Sequence, residues 1–467
     1  MDKRRLADRA GTIVESVRIQ LADASGGSAD NRAKLRRRLW KRLWDDERAD
    51  AAARVRQRQP RVRNVPEPKR IVVFLGAGAS VPLGYPATND LLPAIWEGLA
   101  ATANWSKWAG FRRKRDKKQI PIRKNRDDLH RILCSILPGL ADAGPTLAGA
   151  SIIDVISMLE PCIAERNSPM EPPYLGKKVR DLPKQRRSRK VRSVPIVAPA
   201  TYLIHARHLL TMALNGVLQG LSKKHITKDL ARWMVRRSRQ SSASRVTLVS
   251  TNYDAAVERC VFDLVAKKGS KQRHLKVARR VDFGFTWRDV SGNRHGHLPD
   301  ASLAVFKLHG SLNWLRCETC GHVTINTTER IVSLDAWQVQ NQYNSCECGG
   351  LLKSLLVTPS IVRNIRDPSL LAIWNAALED LRLADQWIFI GYSLPSEDVA
   401  IRSLLLRAFH TRKNRKRLRV QVVSFESDEP AAPLTPQAAF RMFFPRSHFP
   451  ETAYEAGGVE EFVGRLT

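Results

Sequence analysis

Apolar positions along the chain fall into two kinds of run. Short unbroken runs rich in Ile, Val and Phe mark strands buried on both faces: Ile71 to Leu75, then "RVTLVSTNYD" (Arg245 to Asp254), "LAVFKLHGSL", "QWIFIGYSLP" and "LRVQVVSFESD". Longer segments carry apolar residues at helical spacing. One of them, "SLLAIWNAALEDLRLA", stands directly ahead of "QWIFIGYSLP", and this alternation predicts an α/β chain with a parallel sheet. Between the first strand and Arg245 lie two more helical patterns, "SIIDVISMLEPCIAE" and "TYLIHARHLLTMALNGVLQGL", joined by the basic, proline-containing "EPPYLGKKVRDLPKQRRSRKVRSVP". A mainly helical insert over 91–244 accounts for them. Residues 1–68 read as a basic helical extension ending in "NVPEPKR", with Trp40 and Trp44 four apart as a packing stripe.

Composition narrows the setting. The 467 residues exceed one ordinary core, and 43% of them are hydrophobic. No apolar run approaches the roughly 18 residues of a membrane span. "MDKRRLADRAG" lacks the apolar core of a secretory signal, so a cytoplasmic location without membrane contact is expected. The formal net charge of +33 favours polyanions. Its basic residues lie in separate blocks, "KLRRRLWKRLW", "RVRQRQPRVR", "FRRKRDKKQ", "KQRRSRKVR" and "HTRKNRKRLR", without the interleaved aromatics of a base-stacking surface. Solvated basic loops are therefore preferred to a specific reader, and any contact with nucleic acid is expected to be sequence-tolerant. A homo-oligomer is left open as a further partner.

Candidate chemistry gathers at strand ends. "RIVVFLGAGASVPLGYP", Arg70 to Pro86, begins as a dinucleotide-binding turn, with Gly76 and Gly78 for a tight turn and close phosphate approach. Val81 stands where G-x-G-x-x-G wants its third glycine, and Asp90 comes too early to be the acidic residue that holds the ribose. "STNYD" offers Asn252, a donor and an acceptor, and Asp254, a fixed negative charge; such residues at a strand end are also ordinary turn formers. "KLHGS" sets His309 at a strand tip beside Gly310, which makes a general-base candidate of a residue type that is usually structural. "GYSLPSED", Gly391 to Asp398, puts a glycine and hydroxyls at a third tip. Cys317, Cys320, Cys346 and Cys348, from "CETC" and "CEC", form two close pairs followed by glycines; four thiolates suit a closed structural zinc site better than two unrelated pairs, although the second pair has a single intervening residue.

In this order the motifs resemble those of the sirtuins, in particular a divergent bacterial sirtuin-like branch. "GAGAS" with Gly84 and Pro86 is similar to the family's first nucleotide loop, which lacks the third glycine. "TNYD" matches Gln-Asn-x-Asp with Thr251 in the glutamine position, and "KLHGS" carries the catalytic histidine. The cysteines match the zinc ribbon, "TPSIVRN" the segment after it, "GYS" a glycine-threonine-serine strand tip, and "VSFESD" the strand end that holds adenosine. The resemblance runs collinearly from about Arg70 to Asp428 and omits the extension and the insert. It implies a Rossmann-like parallel sheet with a helical insert and a small zinc-ribbon module. The divisions are 69–90 for the first strand and loop, 91–244 for the insert, 245–316 and 351–467 for the rest of the sheet, and 317–350 for the ribbon.

It also implies NAD as substrate and structural Zn2+. Gly76, Ala77, Gly78 and Ser80 would cradle the pyrophosphate through backbone N–H groups and the following helix start, with Pro86, Thr251 and Gly391 lining the site and Ser393 and Ser424 at the adenosine end. Asn252 would orient ribose or water, Asp254 favour the developing positive charge, and His309 act as base. Two departures stand out: "YPATND" replaces the Pro-Asp-Phe-Arg of protein deacylases, and "GYSLPSED" is polar where they carry a hydrophobic lane for an acyl-lysine peptide. The expected activity is hydrolysis of the nicotinamide glycosidic bond of NAD, as in NAD-depleting effectors of anti-phage defence. The alternative is NAD-dependent lysine deacylation. A non-catalytic NAD or ADP-ribose sensor with a nucleic-acid-attracting basic face ranks third, since a pure binder requires neither Asn252 nor His309.

Overall fold

A computed structural model describes residues 68–86 and 90–100, isolated helical positions between 133 and 217, and residues 225–466 apart from breaks at 267–269, 271, 318, 328–345, 351, 358–366, 397, 413–416 and 425–434. The extension with Trp40 and Trp44, four of the five basic blocks, "TPSIVRN" and most of the insert lie outside the described residues.

The apolar runs form strands. β1 (Arg70–Leu75) leads through two 3₁₀ turns to α1 (Leu91–Ala100). α2 (His225–Ser238) precedes β2 (Arg245–Ser250), and α3 (Ala256–Val265) and α4 (Arg273–Ala278) follow it. Three two-residue strands come next, β3 (Val281–Asp282), β4 (Trp287–Arg288) and β5 (Arg294–His295). β6 (Leu303–Lys307), β7 (Gly310–Cys317), β8 (Val323–Ile325) and β9 (Leu352–Leu356) complete the middle of the chain. The last part alternates: α5 (Pro368–Leu383), β10 (Gln386–Ile390), α6 (Val399–Thr411), β11 (Arg419–Val423), α7 (Pro436–Phe443), β12 (Tyr454–Glu455) and α8 (Gly458–Gly464).

The larger sheet has the order β12-β11-β10-β1-β2-β6-β3, with every pairing parallel. β2 is buried at each of its positions, so both faces are covered, which explains why its sequence is a run and not an alternation. α2 packs with α3 and α8, and α5 packs with α6. Caps start the later helices where the pattern breaks. Asp367 accepts from the Ser369 and Leu370 amides ahead of Pro368, and Thr435 accepts from Ala438 ahead of Pro436. This is a doubly covered α/β sheet of Rossmann-like kind.

Register decides where the site can be. Leu75 lies opposite Ser250 and Ile390, Ser250 opposite Lys307, and Ile390 opposite Val423, so five strands end in one row. The chain leaves β1 toward β2 on one side, while β10 and β11 lie on the other, so the reversal of strand order falls beside β1. Ligands bind open α/β sheets outside such a reversal, at the carboxyl ends.

The smaller sheet, in the order β5-β4-β8-β7-β9, is antiparallel apart from β4 with β8. Its strands begin at Trp287, upstream of the cysteines, and β7 starts one residue after His309. Gly310 permits that junction: its φ is +75°, and a Cβ there would stand 2.0 Å from the Leu355 carbonyl oxygen. No helix among the described residues is long and apolar enough to cross a membrane.

Candidate functional site

The first loop is held by its neighbours in the row. Gly76 has an extended backbone, φ −107° and ψ 179°, which any residue could adopt. Its lack of a side chain answers to packing: a Cβ at Gly76 would lie 2.5 Å from the Gly391 carbonyl oxygen, and one at Gly78 would lie 2.9 Å from it. Gly391 in turn has φ +61°, and a Cβ on it would stand 1.9 Å from the Ala79 nitrogen. The glycines of "GAGAS" and "GYS" therefore interlock the tips of β1 and β10.

That interlock changes how the loop can meet an anion. Gly76 N–H donates to the Ile390 carbonyl, Gly78 N–H to Gly391, Ala79 N–H to Gly76 and Ser80 N–H to Ala77, at 2.9 to 3.0 Å. Of the expected cradle of Gly76, Ala77, Gly78 and Ser80, the N–H groups of Gly76, Gly78 and Ser80 are engaged within the protein in this conformation. The expected helix start is absent too: Ala77–Ala79 and Val81–Leu83 are 3₁₀ turns, with Pro82 in the second and Gly84 closing it at φ +89°. The polar side chains at this loop are those of Ser80 and its neighbours Asn252 and Asp254.

Those side chains form one network. Asn252 Nδ2 donates to the Gly76 carbonyl at 2.9 Å and to Ser80 Oγ at 3.1 Å, and Ser80 Oγ donates to Asp254 Oδ2 at 2.9 Å. Asp254 Oδ1 accepts from the Ala256 amide at 3.0 Å, which seats the carboxylate at the first turn of α3. Ser80 and Asp254 are buried, while Asn252 is half-buried with its Oδ1 left as the group it can offer. Thr251 is occupied differently. Its amide and hydroxyl both donate to the Leu75 carbonyl, at 3.1 and 3.3 Å, so it ties β2 to β1.

His309 joins through the same peptide. Its Nδ1 lies 3.0 Å from the Thr251 carbonyl, an acceptor only, so Nδ1 carries the proton and the lone pair of a neutral ring sits on Nε2. The turn is stitched to the 251–254 loop by Leu312 N–H to the Tyr253 carbonyl at 3.0 Å, and Tyr253 Oη donates to the Val357 carbonyl at 2.6 Å. Val357 N–H closes the circuit on the His309 carbonyl at 2.9 Å. Ser80, Asn252, Asp254 and His309, drawn from three strand ends, are thus linked by hydrogen bonds.

The remaining predicted residues lie around this core. Pro86 is half-buried, Ser393 is exposed, and Ser424 is buried with its amide donating to the Glu455 carbonyl at 3.0 Å. Beyond Gly391 the third tip turns inward: Tyr392 is buried, its hydroxyl 3.0 Å from Asp398 Oδ2 and its ring 4.8 Å from that of Phe74. Leu394 is buried at φ +56°, a conformation costly for a residue with a Cβ.

Two residues escaped the sequence reading. Lys307, the last residue of β6, is 1% exposed; its Nζ donates to the Asp254 carbonyl at 2.5 Å and lies 2.5 Å from Glu258 Oε1. Burial pushes the Glu258 carboxyl up, with Lys307 pulling against it and Asp254 adding to it. The available signal was a lysine closing the otherwise apolar "LAVFK".

The four cysteines meet at one end of the smaller sheet, with all four Sγ within 4.8 Å of one another. Cys317 and Cys348 lie 3.5 Å apart, as do Cys320 and Cys346, too far for disulfides. A zinc ion bound tetrahedrally at about 2.3 Å sets its sulfurs about 3.8 Å apart, so the donor set fits. Gly350 leaves the space, since a Cβ there would meet Cys317 Sγ at 2.7 Å. Burial opposes ionisation of Cys317, but backbone N–H groups of Cys320 and Thr319 and neighbouring thiols outweigh it and take the thiol down to about 6. Burial and the neighbouring thiols push Cys346 up to about 12. Cys317 therefore ionises more readily than Cys346. Glu347, the single residue inside the second pair, is ion-paired with Arg288 of β4.

No family model matches the chain. A NAD-dependent protein deacetylase of Oceanobacillus iheyensis is 30% identical over 131 residues, 28% of this chain and 49% of that protein. The chain thus spans about half the length of the curated relative it matches. Among solved structures, a mutant Sir2 homologue with 2'-O-acetyl ADP ribose is 15% identical at a TM-score of 0.33, over 86% of this chain and 91% of the other. Sir2 with a p53 peptide and NAD+ is 12% identical at 0.34, over 86% and 92%. Overlaps this loose carry no argument about the site. With the sequence match to the deacetylase, the parallel sheet and the cysteine cluster, the chain is sirtuin-like.

Proposed function

We propose that the protein cleaves the nicotinamide N-glycosidic bond of NAD and passes the ribosyl group to water. The observation that supports this most is the network itself: Asn252 held from Gly76 and Ser80, Asp254 behind Ser80, and His309 fixed on the peptide before Asn252. Nicotinamide is a cationic leaving group, so the protein needs to orient an acceptor and favour positive charge on the ribose. Asn252 Oδ1 accepts from a ribose hydroxyl or a water. Asp254 supplies the fixed negative charge nearby, softened by its bond from Ser80. His309, protonated at Nδ1, takes a proton at Nε2. The cysteine cluster would hold zinc as a clamp on the smaller sheet, with no part in the reaction. NAD depletion in anti-phage defence is the setting this activity suits.

Lysine deacylation shares the first bond cleavage, and the match to a protein deacetylase favours it as the second reading. Against it, the third tip exposes Ser393 and Ser396 and buries Leu394, so its exposed residues are polar. Incubating the purified chain with NAD, with and without an acetylated peptide, separates the two. Hydrolysis predicts nicotinamide and free ADP-ribose without peptide; release that requires the peptide and yields acyl-ADP-ribose establishes the deacylase instead.

A further inference from the structure

Lys307 puts a buried ammonium one shell behind the proposed site. It ends β6, two residues before His309, and its Nζ bridges two groups of the 254–258 segment, the Asp254 carbonyl and the Glu258 carboxylate, each at 2.5 Å. The contact with Glu258 is an ion pair by distance and not an aligned hydrogen bond, whereas the one to Asp254 is a hydrogen bond. Burying a cation and an anion together gains little stability over apolar residues of the same volume, and often loses some. A leucine or methionine could fill the space beneath β2 and α3. What it could not do is hold a carbonyl oxygen.

That carbonyl belongs to the residue on which the network turns. The Asp254 carboxylate takes the Ser80 hydroxyl on one oxygen and the Ala256 amide on the other, and Ser80 with Gly76 fixes the Asn252 amide. We infer that Lys307 is a positioning residue for the chemistry at Asn252: its ammonium pins the Asp254 peptide so that Asp254, Ser80 and Asn252 stay in line, while Glu258 serves to neutralise Lys307. The kinetic part of this inference rests on the proposed NAD cleavage.

The test compares Glu258→Gln, Lys307→Met and the double variant Lys307→Met/Glu258→Leu in the full chain. Removing both charges should leave the double variant melting close to wild type, yet lower kcat for nicotinamide release at least about tenfold with KM for NAD within about twofold. Amides of 250–256 should exchange with solvent faster in both variants lacking Lys307. Glu258→Gln leaves Lys307 on the Asp254 carbonyl, so it should lose stability but keep kcat within about threefold. Wild-type kcat and exchange in a folded double variant would overturn the inference. Should the double variant not fold, equal kcat in Lys307→Met and Glu258→Gln would overturn it as well. A wild-type chain that releases no nicotinamide defeats the proposed function alone, since exchange at 250–256 still decides the role of Lys307.

Discussion

β2 and β6 carry a buried polar cluster at each of their ends, and the two clusters do different things. At the amino end, Arg245 donates through Nε to both oxygens of Asp380, through Nη1 to the carbonyls of Pro299 and Ala301, and through Nη2 to Asp282. Thr247 completes Asp380, while Asp282 also accepts from the Gly284 and Leu298 amides and lies 2.7 Å from His297 Nδ1. Every group is answered within the protein. At the carboxyl end, Ser80, Asp254 and the Asn252 amide are answered too, while Asn252 Oδ1 takes part in none of these bonds. Burial and charge alone do not mark a site. The distinction proposed lies in the acceptor that Asn252 keeps once the network is made.

The largest expected effect breaks the amino-end cluster. Arg245→Met leaves Asp380 and part of Asp282 buried without their cation, which should cost about 3–5 kcal/mol in urea unfolding. Nicotinamide release per folded molecule should stay within about twofold of wild type at low temperature. A comparable loss of turnover would mean that the two ends are coupled through β2.

A middle-sized effect belongs to the cysteines. The chain should carry one zinc, and Cys317→Ser should lower both zinc content and melting temperature, because the closed site joins the end of β7 to the turn ahead of β9. Zinc-free protein with wild-type melting would remove the metal from the account.

The smallest concerns Asp289, in the hairpin of β4 and β5. Burial raises its pKa, but hydrogen bonds from His295, Asn293 and the Ser291 and Asn293 amides prevail and hold it below the ordinary 3.8. A carboxyl depressed in the native state contributes stability that is full above its unfolded value and is lost as pH falls through its native one. The advantage of wild type over Asp289→Asn should therefore be larger at about pH 6 than at about pH 3. An advantage independent of pH would assign the effect to packing.

Much of this comparison could be seen in the linear order of residues, and its limits are physical. The long buried strands announce themselves because both faces are apolar, and their tips carry the polar residues that register then lines up. β3, β4, β5 and β12 have two residues each, too few to show a period, so the strands of the smaller sheet ahead of the cysteines leave no mark in the sequence. The glycines were legible as a turn for phosphate; their packing of Gly76 and Gly78 against Gly391 depends on a strand pairing across more than three hundred residues. Lys307 and Glu258 were invisible for the same reason, since a lysine is ordinarily a surface residue until its partner is known.

The most direct test of the division between the two ends is nicotinamide release by Asn252→Ala and by His309→Ala beside thermal unfolding of the same samples. Each should lower turnover about 100-fold or more, while melting stays within a few degrees of wild type, because neither residue closes a buried charge. Full turnover in both variants, or loss of turnover only in step with loss of the fold, would contradict that division.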